Sequence, residues 1–199
     1  GQSFQRLMDS LFRSFPFLFV YLDDILVFSH SHAEHLCHLD TVFATFAANG
    51  LHVNPAKCLF AQPQVEFLGH LVTASGISPL SSHVQPILEF PPPSDVKSLQ
   101  KFLGMLNFYR RFLPGAAKVL KPLTDATSGT GLLSWTPAMT SSFATAKSLL
   151  ASAVPLHHPN PSASLSLATD ASDTHVGAVL QQFSCSQWQP LAFFSRKLS

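Results

Sequence analysis

An α+β fold of antiparallel sheet and amphipathic helices is predicted, on three observations. Short runs rich in Phe, Val, Ile and Tyr, such as residues 17–21 and 25–28, are bounded by polar or turn residues, the pattern of strands. Between such runs, apolar residues recur at steps of three and four, the period of a helix with one buried face. The chain is also long and apolar enough for a core. Its 199 residues are 46% hydrophobic and include 18 Phe, which excludes a disordered chain.

The elements follow in order. Phe4, Leu7, Met8, Leu11 and Phe12 share a helix face, so a helix is expected over about 3–14, stopped by Pro16. Two apolar runs then flank Asp23-Asp24, which reads as the tip of a hairpin. Leu36, Leu39, Val42, Phe43 and Phe46 form the stripe of a second helix, ended by Asn49-Gly50. Residues 51–53 suggest a short strand, and Asn54-Pro55 a turn with Pro at a first helical position. Residues 65–72 read as one strand, bent at Gly69, followed by a turn at Ser75-Gly76. Residues 83–90 suggest a short helix interrupted by Pro86. Pro91-Pro92-Pro93 reads as a linker. Ser94 is then expected to cap a long helix to Phe112. Its buried stripe is Val96, Leu99, Phe102, Leu103, Leu106, Tyr109 and Phe112. Residues 123–135 read as loop, and Thr136-Pro137 as a helix start with Phe143, Ala146, Leu149 and Leu150 on its core face. Residues 155–162 read as loop. Three strands are expected last, over 165–169, 176–182 and 191–195, the first delivering Asp170 at its end.

Charge narrows the partners. Only 12% of residues are charged, few for a free-standing soluble domain, so a neighbour is expected to cover part of the surface. Lys97, Lys101, Arg110, Arg111, Lys118 and Lys121 fall in a stretch without Asp or Glu. Such a block suits a polyanion and equally a solvated helix face. Cys37, Cys58 and Cys185 are far apart and odd in number. They give neither a disulfide framework nor a CxxC zinc pattern, so a reducing compartment is expected. No apolar run reaches the ~18 residues of a membrane span and no signal-peptide pattern opens the chain. An intracellular, non-secreted protein without a membrane partner is expected.

Asp23 and Asp24 carry the clearest chemistry. Asp-Asp is poor turn chemistry beside Asn-Gly or Asp-Gly, and neighbouring strand side chains face opposite ways. At least one of the two is therefore expected where regular pairing ends. Two adjacent carboxylates suit a hard cation such as Mg²⁺, and also suit an ordinary solvated turn. His32, His35 and His38, with Cys37 nearby, raise a zinc reading, although zinc sites usually have four ligands; solvated helix histidines are the alternative.

Several separate stretches then agree in order. Tyr21-Leu22-Asp23-Asp24 resembles the signature of reverse transcriptases. Phe4-Gln5-Arg6-Leu7-Met8-Asp9, Asn54-Pro55-Ala56-Lys57-Cys58 and Phe67-Leu68-Gly69-His70 resemble parts of the polymerase of gypsy-class LTR retrotransposon Pol polyproteins. So does Phe102-Leu103-Gly104 with Tyr109-Arg110-Arg111-Phe112. Thr169-Asp170-Ala171-Ser172-Asp173 and Ser195-Arg196-Lys197-Leu198-Ser199 resemble the opening of the ribonuclease H domain that follows it.

The resemblance implies the C-terminal part of a palm over 1–80, thumb and connection over 81–160, and the start of a ribonuclease H-like mixed sheet over 161–199. It implies an RNA-directed DNA polymerase using Mg²⁺, or Mn²⁺, with an RNA or DNA primer–template and dNTPs. Asp23 and Asp24 match the catalytic metal hairpin, Asp23 as the direct ligand, and Tyr21 lies near the primer–template end. Phe67, Leu68, Gly69 and His70 match the primer grip, a hairpin that positions the 3′ end. Lys57 falls where relatives carry a Lys near the leaving phosphates. Lys97, Lys101, Arg110 and Arg111 would track duplex phosphates. Asp170 matches the first metal-binding Asp of the ribonuclease H site. A third palm carboxylate and the fingers would precede Gly1, and further ribonuclease H carboxylates would follow Ser199. Those parts are expected as neighbours in a longer polyprotein, so the chain alone is expected to give no primer extension. A remnant that only binds nucleic acid is the alternative.

Overall fold

The computed structural model describes residues 1–129 and 131–198. Thr130, in the expected loop, and Ser199, last of the Ser195 to Ser199 motif, lie outside the described residues. The chain divides into two compact units, Gly1–Pro63 and Gln64–Ser199.

The first unit runs α1 (Gln2–Phe12), β1 (Leu18–Tyr21), β2 (Asp24–Val27), α2 (His32–Ala48) and a short 3₁₀ helix at Pro55–Lys57. Met8 and Phe12 of α1 meet Val42 and Phe46 of α2 in its core, and Leu18, Val20, Ile25 and Val27 of the hairpin pack against them. Alternation decides this: Leu18 and Val20 turn inward while Phe19 and Tyr21 are exposed. Phe12 stands edge-on to Phe46 with ring centroids 5.3 Å apart. Ser31 caps α2 by accepting from Glu34 N, and Gly50, at φ +67°, follows its end. The strand expected at 51–53 does not form. Leu51 N donates to Phe46 O at 2.9 Å, and Leu51 packs on the core instead of a ladder.

The second unit holds a four-stranded antiparallel sheet in the order β3-β4-β5-β6. Its strands are β3 (Gln64–Phe67), β4 (His70–Thr73), β5 (Gly76–Pro79) and β6 (Leu156–His157). The single bent strand expected over 65–72 is a hairpin. Phe67 pairs with His70 because Leu68 and Gly69, at φ +47° and +75°, reverse the chain between them. Leu156–His157, expected as loop, adds β6 to β5. It comes close because Gly76 has no side chain: a Cβ there would lie 2.0 Å from Leu156 O.

Helices α3 (Ser81–Leu88), α4 (Val96–Phe108), α5 (Ala116–Asp125) and α6 (Pro137–Ala151) follow. Asp95, not Ser94, caps α4, its Oδ1 accepting from Ser98 N at 2.7 Å. The helix ends at Phe108, and Arg110–Phe112 forms a separate 3₁₀ turn. The stripe is buried as expected at Leu99, Phe102, Leu103, Leu106, Tyr109 and Phe112, each large side chain contributing about 1.5–3 kcal/mol. Phe102 meets Phe143 of α6 with centroids 4.6 Å apart. The α5 helix was not expected. Pro122 obscures its pattern, yet Ala116, Ala117, Leu120 and Leu123 are buried. Thr136 caps α6 as expected, accepting from Met139 N at 3.2 Å. The proline run is tied inside this unit: Trp135 Nε1 donates to Pro93 O at 2.7 Å and Lys147 Nζ to Phe90 O at 2.6 Å.

The last three strands, β7 (Ser164–Ala171), β8 (His175–Ser184) and β9 (Gln187–Lys197), form an antiparallel sheet. Among the described residues no helix is long and apolar enough to cross a membrane.

Gly76→Ala is expected to destabilise this unit by more than about 2 kcal/mol, read as a lower urea midpoint. An unchanged midpoint would contradict the close approach of β6.

Candidate functional site

The first unit presents the paired carboxylates. Tyr21 pairs with Asp24, so the two-residue tip is Leu22-Asp23, one residue earlier than the Asp-Asp tip expected. Asp24 closes the ladder and Asp23 sits in the turn, so one carboxylate has left regular pairing. Leu22 adopts φ +51°, an unfavourable region for a branched side chain. The turn is tied to α1 through Gln5. Its Oε1 accepts from Leu22 N at 2.5 Å, while its Nε2 donates to Asp9 Oδ1 at 2.7 Å and to Val20 O at 3.4 Å. Gln5 stood inside a motif that carried the resemblance, but its positioning role was not legible from spacing.

Tyr21, Asp23 and Asp24 are all exposed on this hairpin. Two adjacent exposed carboxylates fit Mg²⁺, which commonly binds one or two carboxylates plus substrate phosphates and water. Among the described residues no group of three or more His, Cys, Asp or Glu is arranged to hold a metal. His35 and His38 turn their Nδ1 atoms to one hydroxyl, Ser29 Oγ, at 3.0 and 2.8 Å, and the His38 ring stacks on Phe17 at 3.6 Å. They therefore do not form the zinc cluster with His32 that their spacing raised. Lys57 closes the 3₁₀ helix that Asn54 caps, Oδ1 accepting from Ala56 N at 3.0 Å, and it is exposed.

In the second unit, the Phe67 to His70 hairpin is seated by aromatic residues from the C-terminal end of α4. Tyr109 donates its hydroxyl to Gly69 O at 3.3 Å. The His70 ring lies 5.2 Å from Phe108 and 5.4 Å from Phe112. A Cβ on Gly69 would come within 3.2 Å of Phe108 and 3.3 Å of His83 Nδ1, so a bare backbone lets the turn sit this close. His70 Nδ1 donates to Leu68 O at 2.8 Å, which leaves Nε2 as a buried acceptor without a partner among the described residues. Burial pushes the His70 pKa down, and the Arg111 charge adds to it.

Lys97 and Lys101 are exposed one turn apart on α4. Arg110 is half-buried, donating from Nη2 to Ser195 O at 2.6 Å, while Arg111 lies over the Phe112 ring at 5.2 Å. Asp125 bridges Lys121 and Lys197, each at 3.0 Å, and these two hydrogen bonds lower its pKa. Asp170 lies on β7 opposite Gly177, one residue before the strand ends, and is exposed.

Comparison with known proteins matches two stretches of the chain. Residues 1–72 match the family described as reverse transcriptase (RNA-dependent DNA polymerase), and residues 135–199 match the RNase H-like domain found in reverse transcriptase. The chain is 40% identical to the retrovirus-related Pol polyprotein from transposon opus of Drosophila melanogaster, over 98% of this chain and 21% of that protein. It is 35% identical to a transposon Tf2-3 polyprotein of Schizosaccharomyces pombe, over 90% of this chain and 14% of that protein. It thus spans about a fifth or less of these relatives' lengths. The fold resembles a foamy viral protease–reverse transcriptase solved with double-stranded DNA (TM-score 0.88, 27% identity, 100% of this chain and 35% of that one). It also resembles the same kind of protein solved with RNA/DNA hybrid (TM-score 0.83, 27% identity, 98% and 27%).

Two outcomes are expected. Gln5→Leu removes the acceptor for Leu22 N and destabilises by about 0.5–1.5 kcal/mol. Hydrogen exchange at the Leu22 amide should accelerate; unchanged exchange would remove Gln5 from the turn. His70 is held neutral in the folded state, with its pKa below the unfolded value near ~6.5. Its contribution is fully present above that value and is lost as pH falls through the lowered folded pKa. His70→Gln should flatten the acid limb of a stability–pH profile, and an identical limb would contradict this.

Proposed function

The chain belongs to the reverse transcriptase family as a segment of a retrotransposon Pol polyprotein, and from that premise we propose that it supplies the metal-carboxylate hairpin and part of the primer–template surface of an RNA-directed DNA polymerase. The observation that carries this reading is the tethered turn with Asp23 in it and Asp24 beside it, both exposed. Asp23 would hold Mg²⁺, or Mn²⁺, with Asp24 beside it. The bound ion would assist attack by the primer 3′-hydroxyl and offset charge on the leaving pyrophosphate. Gln5 fixes the turn so that the two carboxylates do not reorganise when the dNTP arrives, since phosphoryl transfer depends mainly on positioning and charge stabilisation. Tyr21, the last β1 residue, lies beside the primer–template end, and Lys57 offsets charge on the leaving phosphates.

The turn from Phe67 to His70, seated on Phe108 and Tyr109, grips the primer strand. Lys97, Lys101, Arg110 and Arg111 contact phosphates without reading sequence. Asp170 is a metal ligand of the ribonuclease H site. Residues 1–80 then act as palm, 81–160 as thumb and connection, and 161–199 as ribonuclease H start, inside an intracellular polyprotein that adds the fingers and the remaining carboxylates. Support comes from similar folds solved with double-stranded DNA and with RNA/DNA hybrid.

Primer extension on an RNA template by the Pol polyprotein carrying this segment tests the reading. Asp23→Asn is expected to lower kcat about a thousandfold, the equivalent of several kcal/mol, and Asp24→Asn to lower it less. Wild-type extension by Asp23→Asn would sink the metal assignment. Binding without chemistry is a second reading, favoured by the exposure of Lys97 and Lys101, for which no ion pair is found among the described residues. It is the reading that remains if duplex binding falls steeply with salt while extension is absent.

A further inference from the structure

Among the described residues strand β9 is paired with β8 alone. Along its other edge, against the 3₁₀ turn at Arg110–Phe112, runs an open cleft of about 480 Å³. Phe108, Arg110, Arg111, Phe194 and Arg196 line it, and no acidic residue does. Phe108 and Phe194 are 53% and 54% exposed, high for large aromatic residues. Phe194 and Arg196 lie two residues apart and so share one face of β9. Their neighbour Phe193 packs on the core and Ser195 is buried.

No carboxylate lines the cleft itself; Asp125 lies in the neighbouring cavity that Arg110 and Arg196 also line, and is paired with Lys121 and Lys197. Arg110 is held in place by Ser195 O at 2.6 Å and Asn107 Oδ1 at 3.4 Å, both neutral. Arg111 rests over the Phe112 ring. Among the described residues none of the three arginines has an ion-pair carboxylate. Burial pushes the pKa of both Arg110 and Arg111 down. Arg110 is half-buried and Arg111 exposed, and a half-buried guanidinium with no carboxylate partner favours an anionic ligand.

We propose that this cleft binds an unpaired stretch of nucleic acid, with phosphates on Arg111 and Arg196 and a base stacked on Phe194 or Phe108. It rests on the reading of the chain as nucleic-acid-binding and names the form of nucleic acid at this place. Arginines beside exposed aromatic rings make a sequence-blind single-strand site. In a duplex the bases are stacked on one another and offer no face to the rings, so the two Phe side chains select the unpaired form. The volume suits a ligand of nucleotide size.

The test is fluorescence anisotropy of labelled oligothymidine, and of a blunt duplex of equal length, against the 199-residue chain over a salt series. Tighter binding of oligothymidine than of duplex is expected. Phe194→Leu keeps an apolar side chain but removes the flat ring. It should weaken oligothymidine binding by at least about fivefold, the low end for a stacked base, with little effect on the duplex. Phe194→Tyr should retain affinity, which separates stacking from a folding defect. Arg196→Ala should lower the salt slope for oligothymidine by about 0.7, whereas Lys118→Ala on α5, outside the cleft lining, should leave oligothymidine affinity nearly unchanged. Wild-type affinity in both Phe194→Leu and Arg196→Ala overturns the cleft. Duplex binding with no preference for the unpaired strand overturns the cleft alone. Absence of binding to either probe also removes the reading of α4 as a phosphate-tracking helix, while the Asp23 extension assay stands apart from all these outcomes.

Discussion

A backbone amide or carbonyl that leaves its ladder needs another partner, and this constraint governs the turns and edges of both units. Leu22 N, at the tip of the carboxylate hairpin, finds Gln5 of α1. Gly69 O finds the Tyr109 hydroxyl, Ser195 O the Arg110 guanidinium, and Pro93 O the Trp135 indole. Each bond joins a turn, a connecting segment or a strand edge to a side chain anchored elsewhere. Such bonds are worth only about 1 kcal/mol each, but they fix where these segments sit. Packing then holds the anchors, since Tyr109 belongs to the buried stripe of α4 and its 3₁₀ extension.

One residue type can serve two purposes under this constraint. Arg110 belongs to a basic block that suits a polyanion, yet one of its nitrogens is spent on the edge of β9. Lys121 belongs to the same block and is bridged by Asp125. The block is therefore uneven. Lys97 and Lys101 are exposed on α4, Arg111 is exposed over the Phe112 ring, and Arg110 is half-buried. Exposed lysines act as point charges towards phosphate, whereas arginines beside rings add stacking and directed donors.

Much of the architecture was legible because it follows from periodicity. The helical stripes of α4 and α6, the cap at Thr136 and the strands β7 to β9 rest on local patterns, whereas in the α2 stripe Val42 and Phe46 are buried but Leu36 and Phe43 are exposed. The misreadings have local causes too. The 65–72 segment looked continuous because Leu68 gives no turn signal, although Leu68 and Gly69 reverse the chain at positive φ. Pro122 hid α5, and β6 is two residues long, formed only where Gly76 lets Leu156 approach. The 51–53 run looked like a strand but had a better use in capping the core with Leu51.

By itself the sequence determined the α+β class, the ordered motifs that place the chain in its family, and the identity of Asp23 and Asp24 as the carboxylates to watch. These depend on residue type and spacing along the chain. Only the tertiary structure decided that Leu22 and Asp23 make the turn, that Gln5 holds it, that Tyr109 seats the turn at Gly69, and that Arg111 and Arg196 flank one cleft with Phe108 and Phe194. The contacts of Gln5, Tyr109 and the cleft join residues from about 17 to 88 positions apart, and no periodicity records them. They arise when burial of the apolar faces brings distant segments together and their unpaired backbone groups must find partners.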